Sequence, residues 1–375
     1  MARSNTITHG VDGHYIIQMN LTSSTAVSIT EFLSFNLIEE TSNLLPSFEI
    51  SFIAGGGLEE EWNERTPIPL VLSTSTTSSE KLETTLQLVH PNIVDAGQGL
   101  KCYSATGTFY APAFLQTPHL NTVSSCNGTD VLKEIGSKYF KVDKRCSSQE
   151  QQPWYQTNTT DKKFLDYVMS RCYIKDSFVY CGITSSGEYI ICDPVQESGN
   201  SAKYTLSEAP GQGEFGLLAT PRFNSKSGFM NSIGGYGMDT PIISQDSGVR
   251  TVHRPGIKFN FVENDHSRID NVQRRTTPPV KVSMSSDPKS TMGYSNFNTG
   301  TALLSMESAE VAVLSNYFPI KIFDIVELKT PELRDPGLNI NFSGKYMVTK
   351  VARTIQKGLF LTHVSLSRDA HNKSK

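Results

Sequence analysis

Residues 343–351 read SGKYMVTKV, and residues 359–366 read LFLTHVSL after a Lys357-Gly358 pair. In both runs apolar residues tend to alternate with polar ones, and valine, threonine and aromatic residues are frequent. This period of two and this composition are typical of half-buried strands. Two such runs joined by a short turn predict an antiparallel hairpin. The hairpin indicates that the fold is mainly β.

The first third of the chain is also predicted to form strands. Short apolar or alternating runs recur there at fairly regular spacing, separated by Ser/Thr stretches and a glycine turn, which is typical of a sandwich or barrel. A proline-containing strand at residues 67–72 is expected to have an edge-type entry, because proline cannot donate to a central ladder. The predicted strands are residues 11–17, 28–35, 48–53, 67–72, 86–89 and 106–111.

The middle of the chain has a different pattern, with apolar residues at helical spacing. One helix is predicted with Thr129 as its cap and with Val131, Leu132, Ile135, Tyr139 and Phe140 on its apolar face. A second begins near Thr160 and carries Phe164, Leu165, Val168, Met169 and Cys172. Residues 178–181 and 189–192 then predict a hairpin. Residues 121–193 are therefore expected to form a compact α+β unit.

Residues 197–275 are rich in glycine, serine, asparagine and proline and show few clear elements. So long a stretch is more typical of an interaction insertion than of a linker. Strands return at residues 280–284, 302–306, 311–314 and 320–328 before the terminal hairpin. We predict three parts: a first β-barrel over residues 1–118, an α+β domain over 119–196, and a second β-barrel over 197–375 that contains the insertion.

Composition restricts the function. The 375 residues carry 34 basic and 37 acidic side chains, a net charge of −3, and about a fifth of them are serine or threonine. A protein whose main partner is nucleic acid usually has a basic excess, so that class is disfavoured.

No apolar run approaches the roughly 18 residues of a membrane span, and no export signal opens the chain. The six cysteines are expected to be reduced and mostly structural.

Candidate sites for chemistry are weak. Residues 211–216 match G-x-G-x-x-G, but neither the strand nor the helix that dinucleotide binding requires flanks them. Asp265, His266 and Asp270 are too few to hold a metal without further ligands, and His9 and His14 lack helical spacing. The run Glu59-Glu60-Glu61 beside Trp62 resembles a carbohydrate-enzyme site only in composition.

No nucleophile motif occurs either, although the sequence does not exclude a Cys/His pair from distant parts of the chain. Five Asn-x-Ser/Thr sequons carry no weight, because the Ser/Thr content produces about that number by chance. We therefore predict no catalytic residue, no metal ligand and no cofactor.

Two segments resemble a known family. Residues 154–168, WYQTNTTDKKFLDYV, are similar to the element Q-x-N-x-[ST]-D-x-x-F-L of phage baseplate hub proteins, late-control-D proteins and type VI secretion spike proteins. In that family the element opens a helix whose Phe-Leu pair packs inward. Here Thr160 or Asp161 is available as the cap, and Phe164 and Leu165 as the pair. The terminal segments 343–351 and 358–369 are similar to the family's last hairpin.

The resemblance implies a structural phage tail protein with two tail-tube-like barrels and no enzymatic activity. Three subunits would form a ring that adapts a hexameric tail tube to a trimeric spike, by heterologous contacts that close. DNA would pass through the lumen without specific binding, and acidic side chains are expected to face it. Further expected partners are tape measure and baseplate wedge proteins, with assembly in the bacterial cytoplasm and a final place in the virion baseplate.

Relatives in type VI secretion continue into a needle, whereas this sequence stops at Lys375. The spike is therefore expected on another polypeptide, and no lysozyme-like segment is present. Four alternatives stay open. These are an adhesion-device hub of a non-contractile tail, a type VI-like spike base, an enzyme with a dispersed active site, and a secreted adhesin.

Overall fold

The computed structural model describes residues 5–9, 15–19, 29–74, 81–208, 215–225, 238–244, 248–261, 275–276, 280–282, 288–314, 319–331, 342–356 and 359–370. The N-terminal region contributes seven strands: Asn5–His9 (β1), Tyr15–Met19 (β2), Ile29–Glu40 (β3), Asn43–Gly55 (β4), Ile68–Thr74 (β5), Lys81–Gly97 (β6) and Leu100–Phe109 (β7).

The middle region alternates helices and short strands: Pro112–Gln116 (α1), Pro118–Cys126 (β8), Gly128–Gly136 (α2), Lys141–Lys144 (β9), Gln152–Thr160 (β10), Asp161–Met169 (α3), Tyr173–Ile174 (β11), Ser177–Phe178 (β12), Tyr180–Ile183 (β13), Glu188–Cys192 (β14) and Pro194–Glu197 (α4). The remainder comprises Tyr204–Ser207 (β15), Phe215–Gly216 (β16), Arg222–Ser225 (β17), Met238–Ser244 (β18), Arg250–His253 (β19), Arg275–Thr276 (β20), Val280–Val282 (β21), Pro288–Leu304 (α5), Glu307–Leu314 (β22), Ile325–Lys329 (β23), Gly344–Gln356 (β24) and Leu359–Arg368 (β25).

One large sheet joins the two ends of the chain. Its order runs β1-β2-β5-β6-β7-β4-β3-β24, after which β24 pairs with both β23 and β25. Strand β25 pairs with β22, which pairs with β17, while β23 continues to β15 and β16. The junction is the antiparallel ladder between β3 and β24, which runs from Glu40 opposite Lys350 to Ser34 opposite Gln356. The two predicted β-regions therefore share one continuous sheet.

The inward side chains of this sheet form the cores. On β3 and β4 the buried residues Phe35, Leu37, Phe48, Ile50 and Phe52 alternate with residues that are partly or fully exposed, such as Asn36, Glu49 and Ser51. Strands β15 and β22 to β25 surround a second apolar core that contains Val326, Tyr346 and Val364 among others. An isolated bridge between Leu217 and Val313 curls the sheet back towards β22. No continuous ladder closes a barrel within the described ranges, but the mainly β prediction with a smaller α+β part is confirmed.

The terminal hairpin is present as predicted, because β24 and β25 pair from Met347 opposite Ser367 to Gln356 opposite Leu359. Strand β5, which contains the proline run, lies between β2 and β6, so only its entry has the predicted edge character. Strand β2 covers β5 only as far as Leu70, so Pro69 faces a partner on β6 alone.

The α+β unit matches its prediction with two corrections. Helix α2 is capped by Asn127, whose side chain accepts from the Asp130 N–H, and not by Thr129. The helix ends at Gly136, so Tyr139 and Phe140 lie beyond it. The hairpin of β13 and β14 pairs Tyr180 with Cys192, and β9 joins β14 in parallel.

Two predictions in the last third were wrong. The predicted strand at residues 302–306 is the end of α5 and the turn after it, since α5 spans Pro288–Leu304. The predicted strand at 320–328 is shorter: β23 begins only at Ile325, after Phe323 adopts a positive φ of 68°. The insertion also contains structure, because its strands β15 and β17 pair with β23 and β22 of the large sheet.

Candidate functional site

The outward face of the large sheet is polar and open. Along β24 the inward residues Val351 and Ile355 are buried, whereas Ala352 and Thr354 between them are only partly buried. Small polar side chains continue across the strands in register, and the Thr354 hydroxyl donates to Asn36 Oδ1 at 3.1 Å. Such a face cannot serve as a packing surface for an apolar layer. It is suited to contact water or a polar partner.

Charges of both signs are distributed over this face. Glu49 and Glu310 are exposed, and Arg222 is exposed on β17, which pairs with β22. Lys350 lies opposite Glu40 in the ladder between β24 and β3. The face is therefore polar and locally balanced in charge.

One edge of the sheet has no neighbour over much of its length. Strand β5 pairs with β6 only along residues 81–86, so within the described chain residues 87–97 of β6 have β7 alone as a partner. Val89 and Val94 are 37% and 52% exposed on this edge. A long strand with free N–H and C=O groups is a template for pairing with another chain.

A buried acid joins three parts of the chain. Glu39 on β3 is 0% exposed. One carboxylate oxygen accepts from the Ser185 N–H in the turn between β13 and β14, and the other accepts from the Ile322 N–H at 3.2 Å. The carboxylate thereby ties β3 to the α+β unit and to the segment before β23.

Arg353 on β24 completes this cluster. Its guanidinium Nη1 lies 3.6 Å from Glu39 Oε2 and donates to Ser185 Oγ at 2.6 Å, while Nη2 donates to the Ile320 carbonyl at 2.8 Å. We name Glu39, Arg353 and Ser185 the central clasp. It holds the α+β unit against the line where β3 meets β24.

The element at residues 154–168 is held by a second polar group. Gln156 and Asp161 are both buried, and Gln156 Nε2 donates to Asp161 Oδ1 and to the Thr159 carbonyl, each at 2.8 Å. The Tyr139 hydroxyl donates to Asp161 Oδ2 at 2.7 Å, and burial together with this bond raises the pKa of Tyr139 to about 12. The polar positions of the element therefore fold the start of α3 onto α2.

The remaining positions of the element have local roles. Asn158 adopts a positive φ of 51° at an irregularity in the β8–β10 ladder, a conformation that asparagine tolerates. Thr160 caps α3 by accepting from the Lys163 N–H, as predicted, and Phe164 and Leu165 are buried. The whole element is explained by folding, without any chemistry.

Replacing Asp161 with alanine is expected to destabilise the chain by about 1–3 kcal/mol, because the buried Gln156 amide and the Tyr139 hydroxyl would lose their acceptor. Urea unfolding followed by circular dichroism measures the change. Asp166→Ala on the same helix is the control, since its carboxylate makes only a partly exposed pair with Lys162 and should cost about 0.5 kcal/mol or less. Equal costs for the two variants would contradict this role.

Glu150 is a further buried acid that the sequence patterns did not indicate. Its Oε1 accepts from the Gly128 N–H at 2.6 Å and from Ser148 Oγ at 2.8 Å, and its Oε2 accepts from the Tyr173 N–H at 2.7 Å. Burial raises the pKa of this carboxyl despite these bonds. It satisfies the orphan Gly128 N–H at the start of α2, which is a structural role.

The acidic run beside Trp62 does not form a pair of catalytic carboxylates. Trp62 is buried and donates to the Ser104 carbonyl at 3.1 Å. Glu59 forms an ion pair with Lys101, and that bond holds the pKa of Glu59 at about 2. A general acid requires a raised pKa, so this carboxylate is unsuited to that role.

The other sequence candidates are only partly visible. Of the glycine motif, Phe215 and Gly216 form β16, and residues 211–214 lie outside the described residues. Asp265, His266, Asp270 and His14 also lie outside them, while His9 is the last residue of β1. Within the described ranges no group of three or more metal-ligating side chains comes together. The described helices include none long and apolar enough to cross a membrane.

All six cysteines are free thiols, in agreement with the sequence expectation. Cys172, Cys181 and Cys192 are buried, and desolvation raises the pKa of each far above its usual value. Burial also raises the pKa of Cys146 to about 12. These thiols stay protonated and are unsuited to nucleophilic catalysis.

No protein-family profile matches the sequence, and no curated protein matches it. Solved structures do. A tail protein from Neisseria meningitidis is 9% identical, with a TM-score of 0.59 over 95% of this chain and 97% of its own. The 43 kDa tail protein of prophage MuSo2 from Shewanella oneidensis is 9% identical, with a TM-score of 0.60 over 95% and 98%.

An Escherichia coli component of the type VI secretion system, described as structurally similar to the T4 tail proteins gp27 and gp5, is 8% identical. It aligns with a TM-score of 0.53 over 96% of this chain and 79% of its own. The chain therefore has the fold of phage tail proteins and of this secretion component.

Proposed function

We propose that the chain is a structural protein of a phage-type tail and forms the trimeric baseplate hub ring, between a hexameric tail tube and a trimeric spike. The observation that carries this proposal is the continuous sheet across the β3–β24 junction. It has a polar outward face and an unpaired edge on β6. Among the described residues of one chain nothing covers either feature, whereas a closed ring would use both.

The dimensions are compatible with a conduit. Eight strands follow one another as β6-β7-β4-β3-β24-β25-β22-β17. At about 4.8 Å between neighbouring strands, eight strands cover an arc of about 38 Å. Three such arcs would close into a ring about 37 Å across at the backbone, and strand tilt would widen it. Such an opening would admit duplex DNA.

The polar face suits the inside of this ring. A lining rich in Lys and Arg would hold passing DNA through its phosphates. The described part of the outward face has no such excess of cations, because Glu40, Glu49 and Glu310 offset its Lys and Arg, which supports passage without specific binding. That acidic side chains face the lumen stays a prediction of this proposal. The domain limits at residues 118 and 196 also remain proposals.

Ring closure would be heterologous, with the β6 edge of one copy meeting the β17 end of the next. Replacing Val89 and Val94 together with lysine is expected to leave the fold intact but to prevent trimer formation at micromolar concentration. Lysine on an edge strand disfavours pairing with another strand. Sedimentation of the purified protein, alone and with the spike trimer, measures this.

The matched control replaces Val249 and Val252 with lysine. These valines are 57% and 47% exposed near β19, away from the β6 edge. This control variant should assemble like the original chain and bind the spike in a 3:3 ratio. A stable monomer of the unaltered chain in the presence of spike would overturn the hub, and equal assembly of both variants would overturn the edge contact.

The likeness to the secretion component favours one second candidate, the base of a type VI-like spike. This role shares the trimeric ring but requires a secretion tube in place of a virion tail tube. Binding measured against the two tube proteins separates the candidates. Among the described residues, no cluster of side chains supports an enzymatic role.

A further inference from the structure

A groove lies on the outward face of the large sheet, over the terminal hairpin of β24 and β25. Its volume is about 490 Å³, and its floor is formed by β3, β24, β25 and β22. The segment from Ala219 to Arg222 forms one wall, held against β22 by the bond from the Leu218 N–H to the Ala312 carbonyl at 2.9 Å. We name it the terminal groove.

The shape of the terminal groove follows from the sequence of its rows. In one row Ala312, His363 and Ala352 lie side by side on adjacent strands. The two alanines are short, so the exposed imidazole stands in a depression between them. The next row places Glu310, Ser365 and Lys350 in register, with Arg222 opposite Glu310.

The cations of the groove have no ion-pair partner in the part of the chain that the structure describes. Among the described residues, no ion pair within 4 Å joins Arg222, Lys350 or His363 to a carboxylate, although Arg222 faces Glu310 across the ladder. Glu40 lies beyond Lys350 on β3 and does not line the groove. Arginine and lysine side chains with unused donors favour a carboxylate or phosphate ligand.

The apolar residues of the groove favour a peptide carboxylate over a phosphate as the ligand. Ile38, Ala312 and Ala352 line the groove beside the charged residues, and Glu310 adds a negative charge. A continuous polyphosphate gains nothing from the apolar residues and would place a charge beside Glu310, whereas a short peptide can place a small apolar residue there. A peptide with acidic side chains and small apolar ones satisfies both parts. Four strands at about 4.8 Å spacing accommodate about five extended residues.

We propose that the terminal groove binds a short, extended acidic peptide segment, whose carboxylates contact Arg222 and Lys350. Its origin in another tail component rests on the proposed function, whereas the groove itself is a property of the single chain. The site is independent of the β6 edge.

The test uses the full chain and a labelled, end-blocked peptide of about five residues that alternates aspartate and alanine, followed by fluorescence anisotropy. Saturable binding that weakens with added salt is expected. The double variant Arg222→Gln with Lys350→Gln should weaken binding about tenfold or more, and Glu310→Gln should strengthen it. The matched control, Lys141→Gln with Lys175→Gln, removes the same charge from exposed positions elsewhere and should leave affinity within about twofold.

Three results would overturn the site: no saturable binding, equal loss in both double variants, or displacement of the peptide by duplex DNA at an equal concentration of negative charge. The variant with lysine at Val89 and Val94 keeps the groove, so it should bind the peptide normally even though it loses the ring. Failure of the peptide test and failure of ring assembly are therefore distinguishable.

Discussion

Arg353→Met is expected to destabilise the folded chain by about 3–5 kcal/mol, because the buried Glu39 carboxyl group would lose its cationic partner. The two side chains are 2% and 0% exposed. Methionine fills a similar volume but donates nothing, so Ser185 Oγ and the Ile320 carbonyl also lose their donor. The midpoint of urea unfolding should fall accordingly.

A double variant, Glu39→Gln with Arg353→Met, separates charge from packing. It removes both charges and keeps one acceptor for the backbone N–H groups of Ser185 and Ile322. It should be more stable than Arg353→Met alone, since burying a neutral amide costs less than burying an unpaired carboxylate. Lys101→Met, which breaks an exposed pair with Glu59, should leave the urea midpoint nearly unchanged. If Arg353→Met costs no more than Lys101→Met, the central clasp does not stabilise the fold.

Gly107→Val is expected to cost about 3 kcal/mol or more and to displace the edge strand β6. Gly107 on β7 lies between Phe48 on β4 and Leu88 on β6. A side chain there would collide with the Gln87 carbonyl oxygen and place its Cβ 2.6 Å from Phe48 Cε1. The backbone oxygen cannot rotate away, so the strands must separate, which puts the cost at the upper end for overpacked cores. Thermal unfolding measures the loss.

Gly55→Val is the control for this substitution. Gly55 ends β4 in the same sheet, and a Cβ at that position meets no atom within 4 Å. Its φ is not positive, so valine is tolerated, and the change should stay within about 0.5 kcal/mol. The two valine variants differ only in available space. Similar unfolding temperatures would show that β6 and β7 are not held at this separation.

The sequence predicted those elements whose stability comes from an apolar stripe. Helix α3 buries Phe164, Leu165 and Val168 as its spacing indicates, and the terminal hairpin alternates as expected. The resemblance of residues 154–168 to the hub element carried the tail-protein interpretation, which the shared fold supports. These signals are local, so periodicity alone detects them.

Helix α5 was missed because its buried face is not apolar. The face consists of Ser290, Gly293, Asn296, Thr299 and Gly300 among others, where short side chains allow close approach to the α+β unit. Asn296 is fully buried and donates to the Ile174 and Ser177 carbonyls at 2.8 and 2.7 Å. Hydrophobic periodicity cannot detect a helix that is held by hydrogen bonds and close backbone contact.

The central clasp also escaped the sequence patterns, because its residues lie far apart along the chain. A signal was nevertheless present. Glu39 continues the inward alternation of Phe35 and Leu37, and Arg353 lies between Val351 and Ile355 on β24. A charge at an inward strand position predicts a buried partner of opposite charge. Which partner it finds depends on the β3–β24 ladder, which is a non-local pairing.

The burial of the thiols affects how a tail particle would withstand oxidation. On the proposed function the chain is made in a reducing cytoplasm and then persists in an oxidising medium after the host cell lyses. Oxidation and disulfide exchange begin with the thiolate form of cysteine. Because their pKa values are raised, little of this form exists at Cys146, Cys172, Cys181 and Cys192. These four of the five thiols in the α+β unit are therefore expected to cross this redox boundary with their covalent structure unchanged.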